Sequence, residues 1–194
     1  ALFHQFAPEA GTLCCRELSD WLCGQLRQDV VDEGRRIARR AARALQQHSG
    51  SKLGVHIGIH KSVPAQAGMG GGSSDAASTL LALNRLWGCH LPLEVLAKIG
   101  LTLGADVPFF LRGHNAWVEG IGEKIHPIEL PPSRFVVLKP NAGLETARIF
   151  RDPNLERATE AATMSVFAVH PFDFGRNDLQ PVAQAMCPEV DLAL

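Results

Sequence analysis

No stretch of this 194-residue chain sustains the ~18 apolar residues that a membrane-crossing helix requires, and no basic-then-apolar opening marks a signal peptide. An excess of one charge is lacking as well. The 19 Lys and Arg offset the 20 Asp and Glu to a formal net charge of −1, so no polyanion-binding face is advertised. Paired cysteines are missing: Cys14, Cys15, Cys23, Cys89 and Cys187 form an odd set without Cys-x-x-Cys spacing, which argues for reduced, incidental thiols. His56, His60, His114 and His126 make no His-x-x-x-His pattern, so no zinc site is expected. No internal repeat or low-complexity tract is present. These absences argue against a membrane span, a secreted disulfide scaffold and a zinc protein. They predict a soluble, cytoplasmic protein that binds neither nucleic acid nor membrane. A chain of this length can bury one good core, or one domain and part of a second.

What is present in excess is glycine at one place. The stretch Pro64-Ala65-Gln66-Ala67-Gly68-Met69-Gly70-Gly71-Gly72-Ser73-Ser74 crowds four glycines and two serines before an apolar segment. That segment reads as a helix, because Ala76, Ala77, Leu80, Leu81, Leu83, Leu86 and Trp87 recur at three- and four-residue spacing until Gly88 stops it. Serine is available as its N-cap. Glycine admits positive φ and close backbone approach, while the first N–H groups of a helix lack internal acceptors and carry the positive end of the dipole. A polyphosphate satisfies both. A flexible linker is the competing reading, but linkers of Gly and Ser are not normally joined to an Ala-rich apolar helix. Two commoner nucleotide loops are excluded by spacing: no Lys follows the glycines, and Ser73 stands where a dinucleotide loop needs its third Gly.

Around this loop the chain mixes strands and helices without strict alternation, which favours an α+β architecture. An amphipathic helix is predicted from about Arg36 to Gln47. Arg35, Arg36, Arg39, Arg40 and Arg43 form its solvated face beside Ile37, Ala41, Ala42 and Leu45. From Lys52 to His60, Leu53, Val55, Ile57 and Ile59 alternate with Gly54, His56, Gly58 and His60, the period of a half-buried strand that feeds the loop. A second helix is predicted from Leu93 to Leu103, between Pro92 and Gly104. Ala116 to Glu119 and Lys124 to Leu130 read as paired strands around Gly120-Ile121-Gly122, and Phe135 to Lys139 as a continuous apolar strand. Pro131-Pro132 suggests a domain junction. Thr146 to Phe150 and Glu160 to Ala168 are predicted short helices.

The loop resembles that of the GHMP kinase superfamily in its longer form, Pro-x-x-x-Gly-Leu-Gly-Gly-Gly-Ser-Ser. Three further stretches carry the same resemblance: Leu83-Asn84-Arg85-Leu86-Trp87, Leu101-Thr102-Leu103-Gly104-Ala105-Asp106-Val107-Pro108-Phe109-Phe110, and Gly113-His114 leading to Glu119-Gly120-Ile121-Gly122-Glu123. The resemblance runs from about Ile37 to Leu194. It implies a two-domain GHMP kinase: a ribosomal protein S5 domain 2-like, ATP-binding domain over 1–132, whose residues 1–36 do not match the family, then part of a ferredoxin-like domain over 133–194. The branch with the longer loop implies ATP-dependent phosphorylation of the 2-hydroxyl of 4-diphosphocytidyl-2-C-methyl-D-erythritol, a step of non-mevalonate isoprenoid synthesis in the bacterial cytoplasm. The alternatives are a homoserine or mevalonate type of kinase, or a nucleotide-binding module without catalysis.

Phosphoryl transfer needs a grip on the nucleotide, charge neutralisation and an in-line acceptor. Residues Pro64 to Ser74 are the expected grip, with Ser73 and Ser74 adding hydroxyls and Ser74 reaching Mg²⁺. On the acceptor side stands Asp106. Its small and apolar neighbours would raise its proton affinity toward a value useful in a base. From the residues alone, an N-cap for a short helix from Pro108 to Leu111 is an equally good reading, and the two roles can coexist. The resemblance assigns catalysis to Asp106, since the family's catalytic Asp falls on this motif. Asp75 is read as an acid complementing the helix dipole, and Lys61 as a solvated strand end. The family's Pro-Ala-Lys-Leu-Asn segment and late glycine loop are not found here. The resemblance therefore implies a piece lacking both ends, weakly active or inactive by itself.

Overall fold

The computed structural model describes residues 2–3, 33–59, 68–138, 140, 143–160, 162–169 and 175–193, and every statement of absence below concerns those residues. They divide between two compact units, Ala1–Ala65 with Gly70–Glu129, and Gln66–Met69 with Leu130–Leu194.

In the first unit four helices share one core: α1 (Glu33–Ser49), α2 (Gly71–Leu86), α3 (Leu93–Leu101) and α4 (Val107–Arg112). On α1 the apolar residues fall at Ala38, Ala41, Ala42 and Leu45, a single stripe at helical spacing, and all four are buried. Arg36, Arg39, Arg40 and Arg43 are exposed on the opposite face. The stripe meets Ala76, Ala77, Leu80 and Leu83 of α2, and Leu96, Ile99, Val107 and Leu111 complete the cluster. Small alanines on both helices let α1 and α2 approach closely; the larger leucines then fill the space between them. Gly100 does the same between α3 and α4, because a Cβ there would lie 2.8 Å from Val107 Cγ1.

Helix α2 stops where Gly88 takes a positive φ of 63°. Its N–H reaches the Arg85 carbonyl at 3.1 Å and the Cys89 N–H reaches that of Asn84 at 2.9 Å, the paired closure of a Schellman end. A three-stranded antiparallel sheet, β1 (Leu2–Phe3), β2 (Ala116–Glu119) and β3 (Lys124–Pro127), is ordered β1-β2-β3, with Trp117 opposite Leu2 on one side and His126 on the other. Phe109 of α4 packs on Ala116 and Val118, tying the helix to the sheet.

The second unit holds α5 (Thr146–Arg151), α6 (Met164–Val169), α7 (Gln180–Met186) and α8 (Pro188–Asp191). Ile149, Leu155 and Val182 form its small core with Leu144, Leu179, Ala183 and Met186. No helix is long and apolar enough to cross a membrane.

Several expectations are corrected. Residues 51–59 form no strand, and His60 lies outside the described residues. The alternation survives in burial only in part, since Val55 and Ile57 pack on the helical core while Leu53 is exposed, and no described strand lies alongside to complete a ladder. Instead, two of its carbonyls accept from side chains: Leu53 from Gln46 Nε2 at 2.7 Å and Gly54 from Trp87 Nε1 at 3.4 Å. Phe135 to Leu138 is likewise no strand, and all four side chains are exposed; Lys139 lies outside the described residues. Apolar content alone does not make a strand without a neighbour to hydrogen-bond. The hairpin's second strand ends at Pro127 rather than Leu130, although Ile128 N–H still reaches the Asn115 carbonyl at 3.0 Å. Of the described residues within 160–168, only Met164 onward are helical, and Ala161 lies outside the described residues.

Candidate active site

The glycine-rich stretch enters α2 through Gly70, which stands at the N-cap with φ 67° and ψ 16°, the left-handed region. Glycine is required there twice over. An L side chain would be strained at that φ, and its Cβ would sit 2.8 Å from the edge of the Phe110 ring. Serine is therefore not the cap, contrary to expectation: no side chain caps the helix, and Ser73 and Ser74 lie inside its first turn. The first helical hydrogen bond runs from Ser74 N–H to the Gly70 carbonyl at 2.9 Å. The N–H groups of Gly71, Gly72 and Ser73 precede it and have no helical acceptor. Aligned with the positive end of the dipole, they are a cluster of donors suited to anionic oxygens. Gly68 also has a positive φ, 68°, and groups with Met69 in the second unit. Pro64, Ala65, Gln66, Ala67 and Lys61 lie outside the described residues.

Asp106 lies at the join of α3 and α4. After α3, Leu103 and Gly104 N–H groups both reach the Gly100 carbonyl, at 2.9 and 3.1 Å, and the Val107 N–H then takes the Gly104 carbonyl at 3.2 Å. The chain turns tightly, and Asp106 occupies the N-cap of α4 with Pro108 just inside the start. Proline is tolerated there because that N–H needs no helical partner. The expected capping bond is not made: the Asp106 carboxyl makes no side-chain cap. Burial instead pushes its pKa above the ordinary carboxylate value, because a half-desolvated carboxylate is a less stable anion.

Two contacts join these groups. A Cβ on Gly104 would lie 3.7 Å from Ser73 Oγ, so the turn before Asp106 runs beside the donor end of α2. One helical turn beyond Asp106, Phe110 lays its ring against Gly70 and stands edge-on to Phe109 at 5.3 Å between ring centroids. The structure thus brings Gly70, Gly71, Gly72, Ser73 and Ser74 together with Asp106 in one unit. A donor cluster for phosphate beside a carboxyl of raised proton affinity can bind a phosphorylated ligand and take up a proton next to it.

Asp75 begins the second turn rather than lying in the first, and it is buried, not displayed at the helix end. Thr79 Oγ1 donates to its backbone carbonyl at 2.7 Å. His114 is exposed, and no group of three His, Cys, Asp or Glu side chains able to hold a metal occurs among the described residues. Phe110 is the site residue that the sequence reading missed. Its only sequence signal was its place four residues after Asp106, on the same face of a short helix.

A model of the GHMP kinases N terminal domain matches residues 36–114. The chain is 68% identical over 155 residues to a protein of Albidiferax ferrireducens named 4-diphosphocytidyl-2-C-methyl-D-erythritol kinase, covering 80% of this chain and 54% of that one. Identity is 63% to a protein of the same name from Paracidovorax citrulli, over 81% of this chain and 57% of the relative. It is 58% to one from Variovorax paradoxus, over 88% and 64%. The chain thus spans 54% to 64% of the length of these relatives. Among solved structures, a 4-(cytidine 5'-diphospho)-2C-methyl-D-erythritol kinase superposes with a TM-score of 0.67 at 34% identity, covering 85% of this chain and 62% of that one.

Proposed function

We propose, from the match of residues 36–114 to a model of the GHMP kinases N terminal domain, that the chain belongs to an ATP-dependent kinase acting on the 2-hydroxyl of 4-diphosphocytidyl-2-C-methyl-D-erythritol in the bacterial cytoplasm. The observation that carries the reading is the donor end of α2 lying beside the Asp106 turn. The names of relatives 58–68% identical support the substrate over homoserine or mevalonate. Residues 1–132 are read as the S5-like ATP-binding domain and 133–194 as part of a ferredoxin-like one.

In this reading the N–H groups of Gly71, Gly72 and Ser73 hold phosphate oxygens of ATP, and the Ser73 and Ser74 hydroxyls add donors. The acceptor hydroxyl oxygen bonds to the γ-phosphorus as the bond to the β–γ bridging oxygen breaks, ADP leaves, and the hydroxyl proton passes to Asp106. A raised proton affinity suits that residue to receive it. For Mg²⁺ the fit is a sparse one: the Ser74 hydroxyl is a hard oxygen donor, and a cation held mainly through phosphates and water needs no protein cage. When bound, Mg²⁺ offsets the charge on the β- and γ-phosphate oxygens.

Calorimetric titration with ATP, followed by an ADP-release assay with each alcohol, tests the proposal. ATP binding is expected, with whatever weak turnover the chain shows confined to the cytidyl-diphosphate substrate. Turnover of homoserine or mevalonate, or no ATP binding, would overturn it.

A further inference from the structure

We infer that the β2–β3 turn, residues 120–123, is a clamp that positions Asp106, with Gly122 as its point of contact and Glu123 as its latch. The inference deepens the proposed function and rests on Asp106 being the proton acceptor, but its geometry stands independently. Gly122 is buried at the tip of a surface hairpin, where burial is not expected, and has φ 121°. A Cβ there would collide with the carbonyl oxygen of Ala105 and lie 2.9 Å from its carbonyl carbon. Backbone therefore rests directly on backbone at the peptide that leads into Asp106. No side chain intervenes to absorb a shift, so moving the turn moves that peptide.

The turn is itself fastened. Glu119 pairs with Lys124 across its base, Gly122 N–H donates to the Glu119 carbonyl at 3.3 Å, and the Glu123 carboxylate accepts the Ile121 N–H at 2.7 Å. A side chain at Gly120 would displace that carboxylate, since its Cβ would fall 2.6 Å from Glu123 Cδ. Behind the turn, β2 is anchored on α4 through Phe109, the helix that Asp106 starts. Asp106 is thus held from the α4 side by its own helix and from the Ala105 side by the hairpin. Side-chain placement within about 1 Å is what such a proton acceptor requires.

The test follows the titration of Asp106 by carboxyl-carbon NMR in the whole chain, alongside ATP affinity. In the unaltered chain the Asp106 midpoint is expected above the ordinary Asp value, because burial raises it. Gly122→Ala pushes the Ala105 peptide away and admits water, moving the midpoint down toward that range. Glu123→Ala, which releases the latch without adding bulk, does the same should Gly122→Ala fail to fold. Glu123→Gln keeps an acceptor for the Ile121 N–H and restores the unaltered midpoint. Ile121→Ala, at the exposed tip, leaves it in place. A folded Glu123→Ala whose Asp106 midpoint does not move from that of the unaltered chain would overturn the inference. ATP failing to bind would count against the phosphate-site reading alone, with the clamp still read from Asp106.

Discussion

Two helix starts lie side by side in the first unit, and they are built in opposite ways. At α2 a left-handed glycine opens the helix, no side chain caps it, and the N–H groups of Gly71, Gly72 and Ser73 are left without helical acceptors. At α4 an aspartate stands at the N-cap and a proline removes one of the donors, yet the carboxyl does not cap. One start offers donors with no acid, and the other an acid with no donor use for it. Had Asp106 turned onto its own helix, it would have been a stabilised anion and a poor base. The difference teaches that a helix terminus can be tuned toward anion binding or toward proton uptake by one residue at the cap. Gly104 and Phe110 set the two within reach of each other.

The sharpest way to break the contrast is at the acid. In an intact enzyme that carries this domain, Asp106→Asn is expected to lower kcat roughly 10²–10⁴-fold, the range for a lost general base, while ATP affinity is unchanged; ADP-release kinetics and calorimetry together read both. Near-normal kcat would remove Asp106 from the chemistry. At the donor end, Gly70→Val places a β-branched residue at φ 67° and against Phe110. Strain of ~1–3 kcal/mol corresponds to a loss of ATP affinity of roughly 5- to 150-fold.

Gly72 sharpens the comparison, because nothing among the described residues demands glycine there: its φ is not positive, and a Cβ would make only an ordinary contact with Ile37 Cγ2 at 3.8 Å. Gly72→Ala is expected to raise folding stability by up to about 1 kcal/mol, seen in urea denaturation, and yet to weaken ATP binding, since the ligand's close approach is what the missing side chain serves. The smallest effect is a pH-dependent one. Burial raises the folded-state pKa of Asp106 above its unfolded value, so its contribution is fully present below the unfolded pKa and is lost as pH rises through the folded one. Asp106→Asn avoids that loss. Thermal melts are therefore expected to place the variant above the parent at neutral pH, with the gap closing in acid.

The sequence made the local features legible and left the distant ones hidden. Helix α2 and its Gly88 stop, the start of α3 at Pro92, and the hairpin around Gly120 to Gly122 follow from residues adjacent to one another, and they appear close to where they were expected. Val55 and Ile57 were correctly read as the inward side of their segment, but period two reports which side is buried and not whether a strand lies alongside. Phe135 to Leu138 failed for the same reason. The serine cap was misplaced because Gly70, in the left-handed region, starts the helix before the serines are reached. At Asp106 the cap position was legible; whether the carboxyl used it depended on three-dimensional surroundings. Phe110 beneath Gly70 and Gly122 against Ala105 are contacts across many residues of chain, with no local pattern to announce them.

The donor end of α2 is most directly tested by following backbone amide resonances during a titration with ATP. Saturable shifts concentrated at Gly71, Gly72 and Ser73 are predicted, moved to higher ATP concentrations in Gly70→Val. Unmoved resonances at these three residues while ATP binds elsewhere on the chain would contradict the phosphate site.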